Sequence, residues 1–400
     1  METQPSANRS GQPPAIPPGQ PPAIPPGQPV TPRPSWLSKA FNLPILERNR
    51  LAWVDYLKGI AIVLVVYRHV LIGIQRSVAT ARASGLNIPE VPGYLEKANM
   101  IFFSFRMPLF FILSGIFISG SLAKRTLKQV IGIKFDNLLY PYFVWVFLQV
   151  TLQILLGANT NSNRTLINYT YILYQPRALD QFWYLPALFN TTVIYLLVKT
   201  YLKPPAWGQL LIGLALYFCS PFVHNISMIS DWMEFYLFFA LGDCISVFFF
   251  KESTQRFLKN PYTLLAITPV FFLTQVYYLA HPTEPGKADF LAIALIGCFS
   301  MFILSFRMQI WNVLRFLRII GYHSLYIYVT HVFIAGLVRL SLTKFLNIHN
   351  PFILLACGIF FGVTIPIIFY NLLVLNGPLW FLFSFKRPQP KPATAKVSLS

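Results

Sequence analysis

Ten apolar runs, each about as long as a bilayer-spanning helix of ~20 residues, follow one another from residue 51 almost to the end of the chain. Only short polar breaks separate them, which leaves no room for a large soluble domain. They fall at about 51–75, 98–120, 134–156, 181–201, 207–223, 229–250, 262–280, 288–306, 322–346 and 352–376. Of the 400 residues, 55% are hydrophobic and 11% charged, against about 25% charged in an average soluble domain. Backbone polar groups inside lipid must be satisfied internally. The expected fold class is therefore an all-α polytopic membrane protein, a bundle of about ten transmembrane helices with a disordered Pro-rich N-terminal tail.

Lysine and arginine set the orientation, because cytoplasmic loops retain positive charge. One alternating set of breaks carries Arg48 and Arg50, then Lys124, Arg125, Lys128 and Lys134, then Lys199 and Lys203, then Lys251, Arg256 and Lys259. The set continues with Arg307, Arg315 and Arg318 and closes with Lys386, Arg387, Lys391 and Lys396. The opposite set is poorer, with Arg76, Arg82, Lys97, Arg164, Arg177, Lys287 and Lys344. Both termini are thus expected in the cytoplasm, and the chain in the plasma (inner) membrane as a multi-pass protein. The same topology accounts for the formal charge of +19. The basic residues are spread over loops and form no patch with aromatic platforms, so no nucleic-acid partner is expected.

Residues 11–18 and 19–26 repeat the sequence GQPPAIPP. Proline removes backbone donors and favours extended chain, so residues 1–47 are expected to form a disordered cytoplasmic tail. Residues 48–384 form the transmembrane domain and 385–400 a basic cytoplasmic tail. Cys219, Cys244, Cys298 and Cys357 all lie in apolar spans without metal-ligand spacing. They are expected to be small buried side chains, and no metal is expected.

Against this apolar background the first span is unusual: DYLKGIAIVLVVYRHV, residues 55–70, holds Asp55, Lys58, Arg68 and His69. A charge at bilayer depth costs several kcal/mol unless it faces a cavity or a partner. Lys58 and His69 are eleven residues apart, within ~20° of three full helical turns and ~16 Å along the axis. They share a face. Asp55 precedes Lys58 by three residues, a spacing suited to an intrahelical ion pair. This face reads either as the wall of a polar tunnel or as two helix ends with snorkelling side chains. In the second span Arg106 sits within an apolar run beside Met107 and Pro108, with Ser114 and Gly115 following; an ion pair with Asp231 or Glu234 is the structural alternative for Arg106. In the ninth span Ser324, Tyr328 and His331 lie at i, i+4 and i+7 and share a face.

Taken together these stretches resemble the integral-membrane acyltransferase family 3, whose members O-acylate sugars, lipid-linked glycans and cell-surface polymers. VDYLKGIAIVLVVYRHV is similar to the family's first-helix pattern through Asp55, Lys58, Gly59, Ala61 and His69. FRMPLFFILSG resembles its HMPLFF and SG element, LLYPYFVW its L-P-Y segment, FWYLPALF its Trp-Phe/Tyr-Leu-x-x-Leu, and HSLYIYVTH its Ser-x-Tyr-x-Tyr-x-x-His. The likeness covers residues 53 to about 380. Two positions depart from it. Arg106 stands where many members carry His, which confines it to the role of a fixed positive charge. The family's Arg-x-x-Arg before the third helix appears as Lys134 and Asn137, which shifts part of any donor grip onto Arg125, Lys128, Arg315 or Arg318.

The resemblance implies an O-acyltransferase that moves an acyl group, acetyl first among candidates, from cytoplasmic acyl-CoA to a hydroxyl of a sugar, glycolipid or cell-surface glycan. Acyl-CoA is the co-substrate, and membrane lipid and a glycan or lipid-linked sugar are the partners. Such transfer needs a base, an oxyanion donor and positive charge for the coenzyme A phosphates. Histidine, with an ordinary pKa of about 6.5, suits the base. His69 is the first candidate and His331 the second. Asp55 would orient Lys58, and Lys58 and Lys134 would bind the donor. Arg106 or Tyr328 would face the oxyanion, with Ser324 beside it, while Trp183 and Tyr184, near the outer surface, would stack on the sugar. The competing class is a polytopic transporter or flippase. It would more naturally show inverted repeats or broken helices in matching halves, and no clear repeat is present in the membrane region.

Overall fold

The computed structural model describes residues 35–47, 51–157, 164–281, 286–375 and 377–386, and those residues are helical with no strand. Among the described residues ten helices are long and apolar enough to cross a membrane: α1 Ala52–Ala83, α2 Gly93–Leu122, α3 Leu127–Leu156, α4 Pro176–Leu202, α5 Ala206–Val223, α6 Ser227–Phe249, α7 Pro261–Ala280, α8 Lys287–Trp311, α9 Ser324–Phe345 and α10 Pro351–Val374. Each coincides with one expected span. Several run past the apolar stretch into polar sequence. α3 starts seven residues earlier than hydropathy alone indicates because Thr126 and Gln129 form a reciprocal capping box, with hydrogen bonds of 3.3 and 3.1 Å. α1 continues through Arg76 to Ala83, where Arg82 pairs with Glu90.

The boundary of the N-terminal tail needs correction. Residues 36–47, expected within it, instead form the helix Trp36–Phe41 and the turn Leu43–Leu46. Both are tied to the bundle. Asn371 Nδ2 donates to the Ala40 carbonyl at 2.9 Å, and Arg318 donates to the Leu46 carbonyl at 3.2 Å. The expected disorder of residues 1–34, and the basic tail from 387, lie outside the described residues. The cysteine expectation also fails in part. Only Cys298 is buried; Cys219 is exposed and Cys244 and Cys357 are intermediate. An apolar span says that a helix lies in lipid, and only neighbouring helices decide which face is covered.

The short helix Phe316–Tyr322 lies in close contact with α1, and glycine permits the approach. A Cβ added at Gly321 would stand 1.8 Å from the Asp55 carbonyl oxygen, and one at Gly59 would stand 2.2 Å from that of Leu317. A similar contact joins α2 and α6, where Gly115 faces the Phe239 carbonyl and Gly242 that of Ile112, both at 2.1 Å from an added Cβ. Small residues of this kind let membrane helices pack backbone to backbone. They hold the helix Phe316–Tyr322 against α1, and α6 against α2.

Because the atoms met at Gly321 are backbone and cannot rotate away, Gly321→Ala should cost about 1–3 kcal/mol or more and lower the Tm of the purified protein. Gly132→Ala, with nothing within 4 Å of the added Cβ, should leave Tm unchanged or raise it.

Candidate active site

Both described ends of the chain meet at one end of the bundle, where Asn371 reaches Ala40; this end is called proximal and the opposite end distal. Two cavities enter the bundle from these ends. The proximal one, about 310 Å³, is lined by Lys58, Ser114, Lys134, Asn137, Tyr184 and Ser324 among others. The distal one, about 740 Å³, is lined by Arg68, His69, Arg106, Gln149, Trp183 and Arg339 among others. Met107 and Tyr328 line both. The shared face of α1 therefore does border a polar interior, but Lys58 and His69 open onto separate cavities with a septum between them.

Local sequence shapes each wall. In α3, Pro141 removes the amide that would bond the Asn137 carbonyl, and the helix passes through a π turn at Phe135–Leu139. Such turns recur at functional sites. Here the turn carries Asn137 and follows Lys134, both of which line the proximal cavity. In α2, Pro108 likewise leaves the Ser104 carbonyl without its helical donor, next to Met107 of the septum.

His69 and His331 meet edge to face with ring centroids 5.2 Å apart. His331 is fully buried. Its Nδ1 lies 2.9 Å from the Ile327 carbonyl and 2.8 Å from that of Tyr328. A carbonyl can only accept, so Nδ1 carries the proton and Nε2 is left basic. That Nε2 is buried without a hydrogen-bond partner among the described residues. Tyr328, one turn earlier, packs its ring 5.3 Å from that of Tyr184. The dyad thus stands at the distal side of the septum.

Arg106 is 2% exposed and does not pair with Asp231 or Glu234. Those carboxylates pair with Arg177, and Glu234 also with Lys287. Instead Arg106 donates to the Leu64 carbonyl at 2.8 Å and to Asn99 at 2.9 Å (Oδ1) and 3.1 Å (carbonyl). Asn99 in turn donates to Glu96, which accepts from Gln75 at 3.2 Å. The network grips α1 on either side of His69. Sequence reasoning missed Asn99, Glu96 and Gln75, which carry no spacing signal across separate helices.

Other expected residues divide between the two spaces. Ser324 and Tyr328 line the proximal cavity as their shared face requires, with His331 beyond them. Trp183 lines the distal cavity, with the Arg177 guanidinium 4.4 Å over its ring. Tyr184, expected beside it near the outer surface, is instead buried and lines the proximal cavity; the next helical position points elsewhere. Asp55 is 1% exposed and lines neither cavity, so it sits behind the wall that carries Lys58. Arg339 was not anticipated. It lies eleven residues after Tyr328, the same spacing that joins Lys58 to His69, and that repeat was the available signal.

A family model described as an acyltransferase domain, that of acyltransferase family 3, matches residues 51–371. The chain belongs to this family. The match begins one residue before α1 and ends within α10, so every element that lines the two cavities falls inside the family domain. No curated protein and no solved structure matches the chain. Membership supports a membrane acyltransferase and assigns neither donor nor acceptor.

The two-cavity arrangement predicts opposite accessibility. In a background with the four native cysteines replaced, Ser121→Cys in the proximal wall should react with a membrane-impermeant thiol reagent from one side of sealed vesicles only. Gly336→Cys in the distal wall should react only from the other. Labelling of both from the same side would contradict the arrangement.

Proposed function

We propose that the protein is an O-acyltransferase in which acyl-CoA enters the proximal cavity from the cytoplasm and the acceptor hydroxyl enters the distal one. The observation that carries this reading is the His69–His331 dyad at the septum between two cavities entered from opposite ends of the bundle. The Lys/Arg distribution puts the proximal end in the cytoplasm, where acyl-CoA is found, with the plasma (inner) membrane as the setting. The acceptor is a sugar, a glycolipid or a cell-surface glycan, and the acyl group is acetyl.

Lys58 and Lys134 supply the positive charge of the donor cavity, and Ser324 and Asn137 its neutral hydrogen-bonding groups. Lys134 and Lys58 attract the phosphates and carbonyls of the donor, and Asp55, behind the wall, is a positioning residue. The pantetheine arm is narrow enough to bring the thioester between Met107 and Tyr328. His69, which borders the distal cavity, accepts the proton of the acceptor hydroxyl as its oxygen attacks the thioester carbon. The Tyr328 hydroxyl donates to the developing oxyanion. When the C–S bond breaks, the proton held by His69 passes to the thiolate, giving an ester and free coenzyme A. His331, locked by two carbonyls, holds the His69 ring and is a positioning residue. Arg106 has committed donors to Leu64 and Asn99, so its part is a fixed charge that supports the helix.

Membranes containing the protein should move label from isotope-labelled acetyl-CoA into extractable glycans or glycolipids. His69→Ala should lower that transfer at least ~100-fold, the usual scale of lost acid–base catalysis, at equal protein abundance. Lys58→Ala should chiefly raise KM for the donor. Undiminished transfer by His69→Ala would remove it from the mechanism and leave His331 as the base; absence of transfer with acetyl- and succinyl-CoA alike would contradict the proposal.

A further inference from the structure

The distal cavity carries more positive charge than its carboxylates neutralise. Arg76, Arg177 and Lys287 in its wall each have an acidic partner, Arg76 with Asp180 at 3.8 Å, Lys287 with Glu234 at 3.3 Å and Arg177 with Asp231 and Glu234. Arg68, Arg106 and Arg339 do not. Among the described residues no carboxylate stands within 4.0 Å of any of the three. They are also crowded. The Arg68 and Arg106 guanidiniums lie 4.7 and 5.5 Å from the centroid of the same Phe103 ring. The Arg339 guanidinium lies against α1 at Gly73, one turn past His69, where an added Cβ would stand 2.4 Å from Nη1. Arg106 spends its donors on Leu64 and Asn99, whereas no hydrogen bond is made by the Arg68 side chain among the described residues.

Like charges gathered inside a membrane are costly unless something of opposite sign completes them. Arginine's fixed fork matches the paired oxygens of phosphate and carboxylate groups. We infer that the distal cavity is an anion site in which Arg68 and Arg339 grip a phosphate or carboxylate borne by the acyl acceptor, within the field of Arg106. The inference rests on the proposed acyl transfer only for the word acceptor. An anion held between Arg68 and Gly73 is within one helical turn of His69 on either side, so a hydroxyl a few bonds away on the same sugar is delivered to the base. A neutral sugar would leave the half-buried Arg68 and Arg339 without an anion, and the cavity should discriminate against it.

Binding is measured with the purified protein in neutral maltoside micelles, as the rise in Tm on titration with glucose, glucuronate, glucose 1-phosphate, geranyl phosphate and inorganic phosphate. The anionic sugars or geranyl phosphate should stabilise in a saturable, salt-sensitive way and glucose should not. Arg68→Gln and Arg339→Gln should each weaken that binding about tenfold. Arg68→Lys should restore part of it, which shows that the variant is folded. Arg256→Gln, on the surface beside Glu252, should bind as the wild type does. Selectivity for geranyl phosphate and glucose 1-phosphate would identify a lipid- or sugar-linked phosphate, and selectivity for glucuronate a carboxylated glycan. Equal stabilisation by glucose, or anion binding unchanged in both arginine variants, would overturn the inference. Anion binding is read without acyl transfer, so wild-type protein that binds the anions and transfers no acyl group would count against the enzyme reading alone.

Discussion

A buried arginine in a lipid-facing bundle sets the terms for everything around it. Arg106 cannot be left to hydrocarbon, and among the described residues no carboxylate pairs with it directly. Its charge is spread over the Leu64 carbonyl and the Asn99 side chain and backbone, and through Asn99 it reaches Glu96 and Gln75. Breaking one member of such a network leaves a buried charge unanswered, which is far costlier than never having made the pair. The network therefore clamps α1 against α2 on both sides of His69. The glycine contacts from Phe316–Tyr322 clamp the other half of α1. Between these two grips the helix has little freedom, and His69 is held against His331.

That rigidity has a chemical use. α1, α2, α3, α4 and α9 each border both cavities, so the same helices form the walls of the proximal entry and of the distal one. Met107 and Tyr328, which line both cavities, place a flexible thioether and an aromatic ring between them. The proposed transfer between a donor and an acceptor from opposite sides would need this combination, two antechambers and one reactive point between them.

The gross architecture was legible in the chain because lipid imposes a strict rule. Ten apolar runs became ten helices, and the eleven-residue spacing of Lys58 and His69 did place both on the interior face. The family, too, was legible, since five short elements occurred in order. What escaped was what depends on neighbours. Spacing along α4 could not tell that Trp183 and Tyr184 serve different cavities, nor could hydropathy tell that Trp36–Phe41 docks on α10. The partners of Arg106 escaped because Asn99 and the Leu64 carbonyl are ordinary groups until folding brings them together. A carboxylate was the structural alternative weighed for Arg106, and its actual partners are a neutral amide and two backbone carbonyls.

In the proposed transfer a single path joins the two cavities past the histidine dyad. It is tested most directly by the cryo-electron microscopy structure of the protein with a non-hydrolysable thioether analogue of acetyl-CoA. The nucleotide end should lie near Lys58 and Lys134, the pantetheine arm between Met107 and Tyr328, and the acyl carbon near enough to His69 for an acceptor oxygen to fit between them, at a reactive contact of about 3–3.5 Å. A donor bound wholly in the distal cavity, or along the lipid-facing surface away from the septum, would contradict it.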